Sequence, residues 1–323
     1  MISLYDTAGT CLIKREGDTT AGPNTIWIDL LNPTEEEEAE VEKALNLEVP
    51  TRAEMREIEV SNRFYSENGA HFLTAFVIHS SEKETVTTSN ITFILAGNRL
   101  ITVRYGEPKA FALFADRVCR NAEGCMTGSQ VLVGLLEMII QRMADLIERL
   151  QDEVERLAPQ IFGQRSAQQA QGRRLEVMLR TVGKQGDIIS RSLEAATSLH
   201  RTLVFLADAA RERNEDAKLM ARIDSADRDI NSLSEQLRFV AARTSFLLEA
   251  TLGMISTEQN QIIKLFSVMA VMMMPPTLVA SVYGMNFKYM PELDFPFGYP
   301  MALALMFLSG LVPYLYFRRK GWL

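Results

Sequence analysis

Residues 262–286, IIKLFSVMAVMMMPPTLVASVYGMN, decide how the rest of this 323-residue chain is interpreted. No charged residue occurs between Lys264 and Lys288. The apolar run of about 20 residues, at about 1.5 Å per helical residue, is long enough to cross a hydrocarbon core of about 30 Å. The alternative, a buried core helix, rarely stays uncharged on every face for about five turns. The stretch therefore predicts a membrane span.

A second uncharged run extends from Phe295 to Phe317, and three cations follow it directly: Arg318, Arg319 and Lys320. Two spans joined by a short loop form a hairpin in a lipid bilayer. Because cations flank the cytoplasmic ends of spans, this cluster predicts a cytoplasmic C-terminus. Two spans return the chain to its starting side, so the N-terminus is also expected in the cytoplasm. The pattern indicates a multi-pass protein of the cell inner membrane.

Composition excludes several classes of function. A net charge of −7 provides no basic footprint for nucleic acid. Three cysteines without Cys-x-x-Cys spacing predict neither a disulfide framework nor a zinc site, and they suit a reducing cytosol. The first ten residues lack the regions of a signal peptide. The histidines at 71, 79 and 200 are isolated, and no phosphate-binding loop or nucleophile elbow occurs, so nothing argues for an enzyme.

The first 107 residues show the alternating, β-branched patterns of strands. Turns are expected at Asn68-Gly69 and Gly97-Asn98. Thr34 is expected to cap a helix that begins with Glu35–Glu38, where acids suit the positive end of the helix dipole; we favour this over a cation site. Another short helix, RAEMREI at residues 52–58, is expected after Thr51. The predicted strands are Ile2–Tyr5, Cys11–Ile13, Thr25–Leu30, Arg63–Ser66, His71–Ile78, Val86–Leu95 and Leu100–Val103.

After Pro108 the apolar residues recur every three or four positions, which is typical of amphipathic helices. One helix is predicted from Val131 towards Ile161, and a helical stretch over residues 167–210. No proline occurs between Asn214 and Pro275, so a single helix of about 105 Å is expected to continue into the first span. That length suggests a stalk packed against copies of itself.

The expected organisation therefore has six parts. An α/β cytoplasmic sheet region occupies residues 1–107, and the helical part of the same domain occupies 108–213. A long stalk helix continuing into the first transmembrane helix occupies 214–286. The remaining parts are a periplasmic loop at 287–298, a second transmembrane helix at 299–317, which completes a two-helix transmembrane hairpin, and a basic cytoplasmic tail at 318–323.

Small, polar and methionine side chains share one helical face of the first span with two apolar ones. The steps between them are three or four residues, so the side chains lie on one stripe. If this stripe surrounds an axis between identical subunits, it lines a mostly neutral pore. Small residues also favour ordinary close packing of membrane helices, and the pattern alone does not separate the two interpretations. The pore stripe comprises Asn260, Ile263, Phe266, Ala270, Met274, Thr277 and Ser281.

The end of the first span resembles a known family. The segment Tyr283-Gly284-Met285-Asn286-Phe287, followed by Met290-Pro291-Glu292-Leu293 and Phe297-Gly298-Tyr299-Pro300, is similar to the signature of the CorA family of magnesium channels. Two spans at the C-terminus and the basic-aromatic ending RRKGWL extend the resemblance, which covers residues 253–323. The combination of the Gly-Met-Asn triplet, the Met-Pro-Glu-Leu loop, the two-span hairpin and the basic tail is very specific for this family.

The resemblance implies a homopentameric funnel whose first spans line the pore. It implies that Gly284, Met285 and Asn286 form the outer ion-selectivity site, followed by Glu292 in the loop. Mg²⁺ holds its water tightly, and an amide ring can bind that hydrated ion without the full charges that trap a dication. By the same resemblance, the inner pore positions are Asn260, Met274, Thr277 and Ser281, the hydrophobic constriction is Ile263 and Phe266, and Arg318, Arg319 and Lys320 form a basic cytoplasmic ring.

The implied function is passive, potential-driven Mg²⁺ uptake, with Co²⁺ and Ni²⁺ as further divalent cations and intracellular Mg²⁺ as the gating ion. The family's regulatory acid aligns with Ser225, so Asp224 and Asp227 are the candidate regulatory ligands; a solvated acidic face is the alternative. The family's loop usually has an acid directly after the Gly-Met-Asn-aromatic segment and a base after Met-Pro-Glu-Leu. Here Lys288 and Asp294 occupy these two places, so the signs of the charges are exchanged. A zinc transporter of the same superfamily and a membrane-tethered scaffold without ion flux remain the alternative functions.

Overall fold

The computed structural model describes residues 1–8, 11–15, 21–57, 59–80, 86–120, 125–162, 171–286, 288, 290–291 and 296–322. The loop residues Glu292 and Asp294 lie outside these ranges. The chain divides into two units. The first comprises Met1–Gly163 and Arg180–Leu247, and the second comprises Gln164–Leu179 and Leu248–Leu323.

The first unit contains a mixed sheet. Its described strands pair in the order β2-β1-β3-β7-β6-β5-β4, with β3 and β7 parallel and the other neighbours antiparallel. Each predicted strand is present and several extend further than predicted, but the strand predicted from Arg63 begins at Phe64, because Arg63 is the last residue of a short helix. The strands are β1 Ile2–Ala8, β2 Cys11–Arg15, β3 Thr25–Leu31, β4 Phe64–Glu67, β5 Ala70–Ser80, β6 Val86–Ala96 and β7 Arg99–Arg104.

The predicted hairpin turns are confirmed by their backbone angles. Asn68 and Gly69 have φ of 50° and 76°, so both central residues of the β4–β5 turn are left-handed, as a two-residue hairpin with the twist of the sheet requires. Gly97, in the turn between β6 and β7, has φ of 56°. Glycine and asparagine adopt these angles more readily than other residues.

Seven α-helices are described, and their bounds are α1 Glu35–Leu45, α2 Val60–Arg63, α3 Lys109–Arg120, α4 Gly128–Phe162, α5 Gln171–Glu212, α6 Ala217–Tyr283 and α7 Gly298–Arg319. Of these, α7 lies in the second unit and α6 extends from the first unit into the second. In place of the helix predicted after Thr51, the structure has a single 3₁₀ turn at Glu54–Arg56, which is shorter than predicted. The backbone is already extended at Glu57, with φ −61° and ψ 140°, so the turn does not propagate.

The acids at the start of α1 have structural partners. Thr34 and Glu37 form a reciprocal capping box. The N-terminal ammonium lies 2.7 Å from Glu37 Oε2, and Tyr105 donates a hydrogen bond to Glu38 Oε1 at 3.1 Å. These contacts agree with the interpretation of the acidic run as a helix start.

The break between α5 and α6 is encoded by capping residues. Asn214 has φ of 53°, and the N–H of Glu215 donates to the carbonyl of Ala210 at 3.0 Å, which ends α5. Asp216 Oδ1 then accepts from the N–H of Leu219 at 2.7 Å and caps the start of α6. The predicted helix from about Asn214 therefore starts at Ala217.

A buried ion pair joins the two parallel strands of the sheet. Arg104 donates from Nε and Nη2 to the two carboxylate oxygens of Asp29 at 2.9 and 2.7 Å, and the two residues are only 8% and 5% exposed. Thr102 donates to Asp29 Oδ1 at 2.7 Å and accepts from the indole of Trp27 at 3.1 Å. Burial, with Asp29 as a further cause, raises the pKa of the Tyr5 hydroxyl nearby.

We expect Asp29→Ala to lower the free energy of unfolding by about 3–5 kcal/mol, because it leaves the buried Arg104 charge unpaired. Asp145→Ala is the matched control, since Asp145 pairs with Arg142 at 2.7 Å on an exposed helix surface. Its cost should stay below about 1 kcal/mol. Urea unfolding of the full chain, followed by near-ultraviolet circular dichroism, measures both. Equal losses in the two variants would contradict this account of the network.

Candidate functional site

The structure leaves every residue of the pore stripe exposed on the C-terminal part of α6. The apolar members are the most informative, because apolar side chains exposed on a membrane span must meet lipid or another helix. Ile263, Phe266 and Met274 are 60%, 63% and 69% exposed. Other apolar residues of α6, such as Leu278, are exposed as well, so exposure alone does not identify a pore.

The opposite face of α6 packs against α7. Val268 is buried, and Met272, Pro275, Pro276, Val279 and Tyr283 are partly buried. A Cβ added at Gly310 of α7 would lie 3.3 Å from Cγ of Pro276, so this glycine allows close approach of the two helices. At about 100° per residue, this covered face and the pore stripe are about 180° apart. The stripe is therefore not the surface that holds the hairpin together.

The Gly-Met-Asn triplet terminates the first span. Helix α6 ends at Tyr283, and the N–H groups of Gly284 and Met285 donate to the carbonyls of Ala280 and Val282 at 2.9 and 3.3 Å. A Cβ at Gly284 would lie 3.1 Å from the carbonyl oxygen of Ala280, which is tighter than most real contacts. Glycine thus permits the closing turn, and Asn286 follows it with an exposed side chain outside the helix.

The hydroxyl of Thr277 is oriented by the helix backbone. Thr277 Oγ1 donates its hydrogen to the carbonyl of Met273 at 2.7 Å. Since the hydrogen is engaged, the lone pairs of the oxygen remain for donors outside the helix, such as the water shell of a cation.

Pro275 and Pro276 lie inside α6 without ending it, although neither provides the N–H that a helix interior normally uses.

The C-terminal end of the hairpin carries more than the predicted basic residues. Arg318, Arg319 and Lys320 are exposed at the end of α7. Beyond them, the Trp322 ring stacks on Phe317, with centroids 5.4 Å apart. Lys264 Nζ of α6 lies 5.5 Å from the centre of the Trp322 ring. No local sequence pattern predicts this contact, because Lys264 and Trp322 are far apart in the chain.

The candidate regulatory acids have different surroundings. Asp224 is exposed, whereas Asp227 is partly buried and lies 2.6 Å from Nδ1 of His200 on α5. Asn231 donates to the second carboxylate oxygen of Asp227 at 3.1 Å. Arg222 forms a bidentate ion pair with Glu137 of α4, at 2.9 and 2.8 Å. His200 was not predicted as a neighbour of Asp227, since only the packing of α5 on α6 brings the two together.

The donors available for a resident metal are sparse. Within the described ranges, no group of three or more His, Cys, Asp or Glu side chains in one chain is placed to hold a metal ion.

Two of the described helices, α6 and α7, are long and apolar enough to cross a membrane. The arrangement is thus a hairpin of two membrane helices with a neutral exposed stripe, an amide at the end of α6 and cations at the end of α7.

Comparisons with known proteins agree with this arrangement. A family model described as CorA-like Mg²⁺ transporter protein matches residues 23–319. The chain is 36% identical to the magnesium transport protein CorA of Pasteurella multocida over 324 residues, which cover all of both chains. It is also 36% identical to the magnesium transport protein CorA of Escherichia coli, over 93% of this chain and 92% of the relative.

The fold also matches a solved structure. The complete structure of the CorA magnesium transporter from Methanocaldococcus jannaschii superimposes with a TM-score of 0.75 at 17% identity, covering 100% of this chain and 99% of that one. At that identity the likeness shows the architecture: an α/β domain, long helices and two apolar helices at the C-terminus.

Proposed function

This chain belongs to the family of CorA-like Mg²⁺ transporter proteins, and we propose that it conducts Mg²⁺ passively across the cell inner membrane through a pore formed between five copies. The observation that carries the proposal is the pore stripe, which faces away from α7 and leads to Asn286. Among the described residues of the hairpin, α7 packs on the opposite face, and further copies of α6 would enclose this surface. One span cannot surround an ion path alone.

The outer end of the pore selects the hydrated ion. Five Asn286 side chains would present carboxamide oxygens to the waters that Mg²⁺ retains. Thr277 and Ser281 continue this neutral, oxygen-bearing surface inward, and Asn260 repeats it at the inner end. Ile263 and Phe266 form an apolar constriction between these polar levels. Co²⁺ and Ni²⁺ share the charge of Mg²⁺ and are proposed as further cargo.

The membrane potential drives uptake. A dication crossing 100 mV gains about 4.6 kcal/mol, so transport requires no nucleotide. The basic tail at Arg318, Arg319 and Lys320 supports a cytoplasmic C-terminus, and two spans then place the N-terminus on the same side. The α/β unit would lie in the cytoplasm, where it can sense internal Mg²⁺.

We propose Asp224 and Asp227 as part of the site through which internal Mg²⁺ closes the channel. Carboxylate oxygens suit Mg²⁺, and Asp224 is exposed to receive it. Asp227 already contacts His200 and Asn231, so it would contribute only in part. We expect a neighbouring copy to supply further donors, since no three such groups come together among the described residues of one chain.

Replacing Asp224 and Asp227 together by Asn should weaken the protection from proteolysis that millimolar Mg²⁺ confers on the cytoplasmic unit. The reason is the loss of the charges that a bridging dication neutralises. Asp229→Asn serves as the control, because Asp229 is an exposed acid on another face of α6. The concentration of Mg²⁺ at half-protection measures the effect. If the double variant and wild type share the same midpoint, these two acids are not the sensor.

Flux measurements test the proposed function. Liposomes that contain the purified full chain and an internal Mg²⁺ dye should fill when a potassium diffusion potential makes the interior negative. Parallel samples with Zn²⁺, Co²⁺ and Ni²⁺, each with a suitable dye, define selectivity. Flat traces for every ion would favour a membrane-tethered scaffold. Zn²⁺ uptake without Mg²⁺ uptake would favour a zinc transporter.

A further inference from the structure

The C-terminal tail is folded back by a defined helix-ending motif. Gly321 has φ of 70°, a left-handed angle that suits glycine. The N–H of Gly321 donates to the carbonyl of Arg318 at 3.1 Å, and the N–H of Trp322 donates to the carbonyl of Phe317 at 3.0 Å. This pair of bonds is a Schellman motif, and the Phe317–Trp322 stack is the apolar contact that commonly accompanies it.

The motif delivers Trp322 to the first span. Its ring lies between Phe317 of α7 and the ammonium group of Lys264 of α6, at 5.4 and 5.5 Å. A cation within about 6 Å of an indole face is attracted by the ring quadrupole. We call the three residues Lys264, Phe317 and Trp322 the tail clasp. It links the inner ends of the two spans.

We propose that the tail clasp positions the apolar constriction of the pore by setting the rotation of α6 at its cytoplasmic end. Lys264 follows Ile263 directly and precedes Phe266 by two residues. Successive residues of a helix are rotated by about 100°, so Ile263 lies about 100° and Phe266 about 200° around the axis of α6 from Lys264. Fixing the direction of Lys264 therefore also fixes the directions of these two side chains. With Lys264 held near α7, both constriction residues point away from α7, where the structure has them exposed.

Lys264 and Trp322 are therefore positioning residues that act through Ile263 and Phe266. This inference rests on the proposed function, since it assumes that the pore stripe surrounds the ion path. Loss of the clasp allows the inner end of α6 to turn, and the apolar side chains then move away from the axis. The narrowest part of the pore widens, and basal Mg²⁺ flux rises.

Two substitutions and their conservative partners test the clasp. Lys264→Met removes the charge and Lys264→Arg keeps it; Trp322→Ala removes the ring and Trp322→Phe keeps an aromatic face. Lys264→Met and Trp322→Ala should each raise basal Mg²⁺ flux into liposomes by about two- to five-fold, the range of an exposed cation–π contact. The double variant should match the singles, because both remove one contact. Lys264→Arg and Trp322→Phe should stay near wild type.

Gly321 provides a third, independent variant. Gly321→Ala strains the left-handed turn and should reproduce the rise in flux, whereas Gly321→Asn tolerates that turn and should not. A structural readout accompanies the flux. The chain has two tryptophans, so 5-fluorotryptophan labelling of the full protein gives two ¹⁹F resonances. Lys264→Met should shift the Trp322 resonance and leave that of the buried Trp27 unchanged.

The outcomes separate this inference from the function on which it rests. An unshifted Trp322 resonance in Lys264→Met, or wild-type flux in both Lys264→Met and Trp322→Ala, overturns the clasp while wild-type uptake upholds the channel. Additive effects in the double variant also overturn it. Absence of flux in the wild type overturns both. Gel filtration in detergent confirms that each variant keeps the assembly of the wild type.

Discussion

Asn286→Ala should abolish Mg²⁺ uptake, or reduce it at least about a hundredfold, while the oligomer stays intact. The substitution removes the proposed amide ring at the outer end of the pore. Each amide contact with a hydrating water contributes about 1 kcal/mol, and five are lost together. Little packing is lost, because Asn286 is exposed beyond the end of α6. Uptake by liposomes and size in detergent measure the two effects.

Two further substitutions at Asn286 refine this test. Asn286→Gln keeps the amide but moves it by one methylene, so part of the uptake should remain. Asn286→Asp places five carboxylates around one axis, where they raise one another's pKa and hold a dication more tightly. Flux should therefore also fall, with Mg²⁺ retained at the mouth. Wild-type uptake by Asn286→Ala would remove the triplet from the selectivity mechanism.

Ala270→Arg should block Mg²⁺ uptake completely. Ala270 is exposed on the pore stripe, so in a pentamer five guanidinium groups would surround the ion path. Arginine stays charged in such a cluster, unlike lysine. At about 6 Å in water, each cation repels Mg²⁺ by about 1.4 kcal/mol, and lower polarity increases the repulsion. Uptake in liposomes measures the block.

Ala270→Gln is the control for this substitution, because it adds comparable length without charge. It should reduce uptake only in part. If Ala270 faced lipid instead, arginine would disturb membrane insertion and assembly, and the two variants would differ in yield of oligomer rather than in flux. Assembled Ala270→Arg protein with normal uptake would show that this face does not line the pore.

Local sequence patterns predicted the elements of the fold well. The uncharged runs at α6 and α7, the alternating strands and the Asn68-Gly69 turn each depend on residues close in sequence, and the structure confirms them. The helix predicted after Thr51 was too long. Its sequence has the composition of a helix, and Thr51 and Glu54 form the reciprocal bonds of a helix start, but the backbone is already extended at Glu57.

Contacts between distant residues could not be predicted in this way. The parallel pairing of β3 and β7 brings Asp29 to Arg104, and helix packing brings His200 to Asp227. The clasp between Lys264 and Trp322 depends on the Schellman turn and on the antiparallel hairpin together. Likewise, the sequence placed the pore stripe on one face of α6, but only the structure shows that α7 covers the opposite face.

The central claim is that this chain forms a passive pore for a dication along the face of α6 that ends at Asn286. The reversal potential of Mg²⁺ flux tests it most directly. When internal Mg²⁺ is tenfold higher than external Mg²⁺, net flux through a passive Mg²⁺ pore should vanish at an inside-negative potential of about 30 mV, the value for two charges per tenfold gradient. More negative potentials should drive net uptake, and the Asn286→Ala protein should show no flux on either side of that value. Absence of wild-type flux, or reversal at a different potential, would contradict the account.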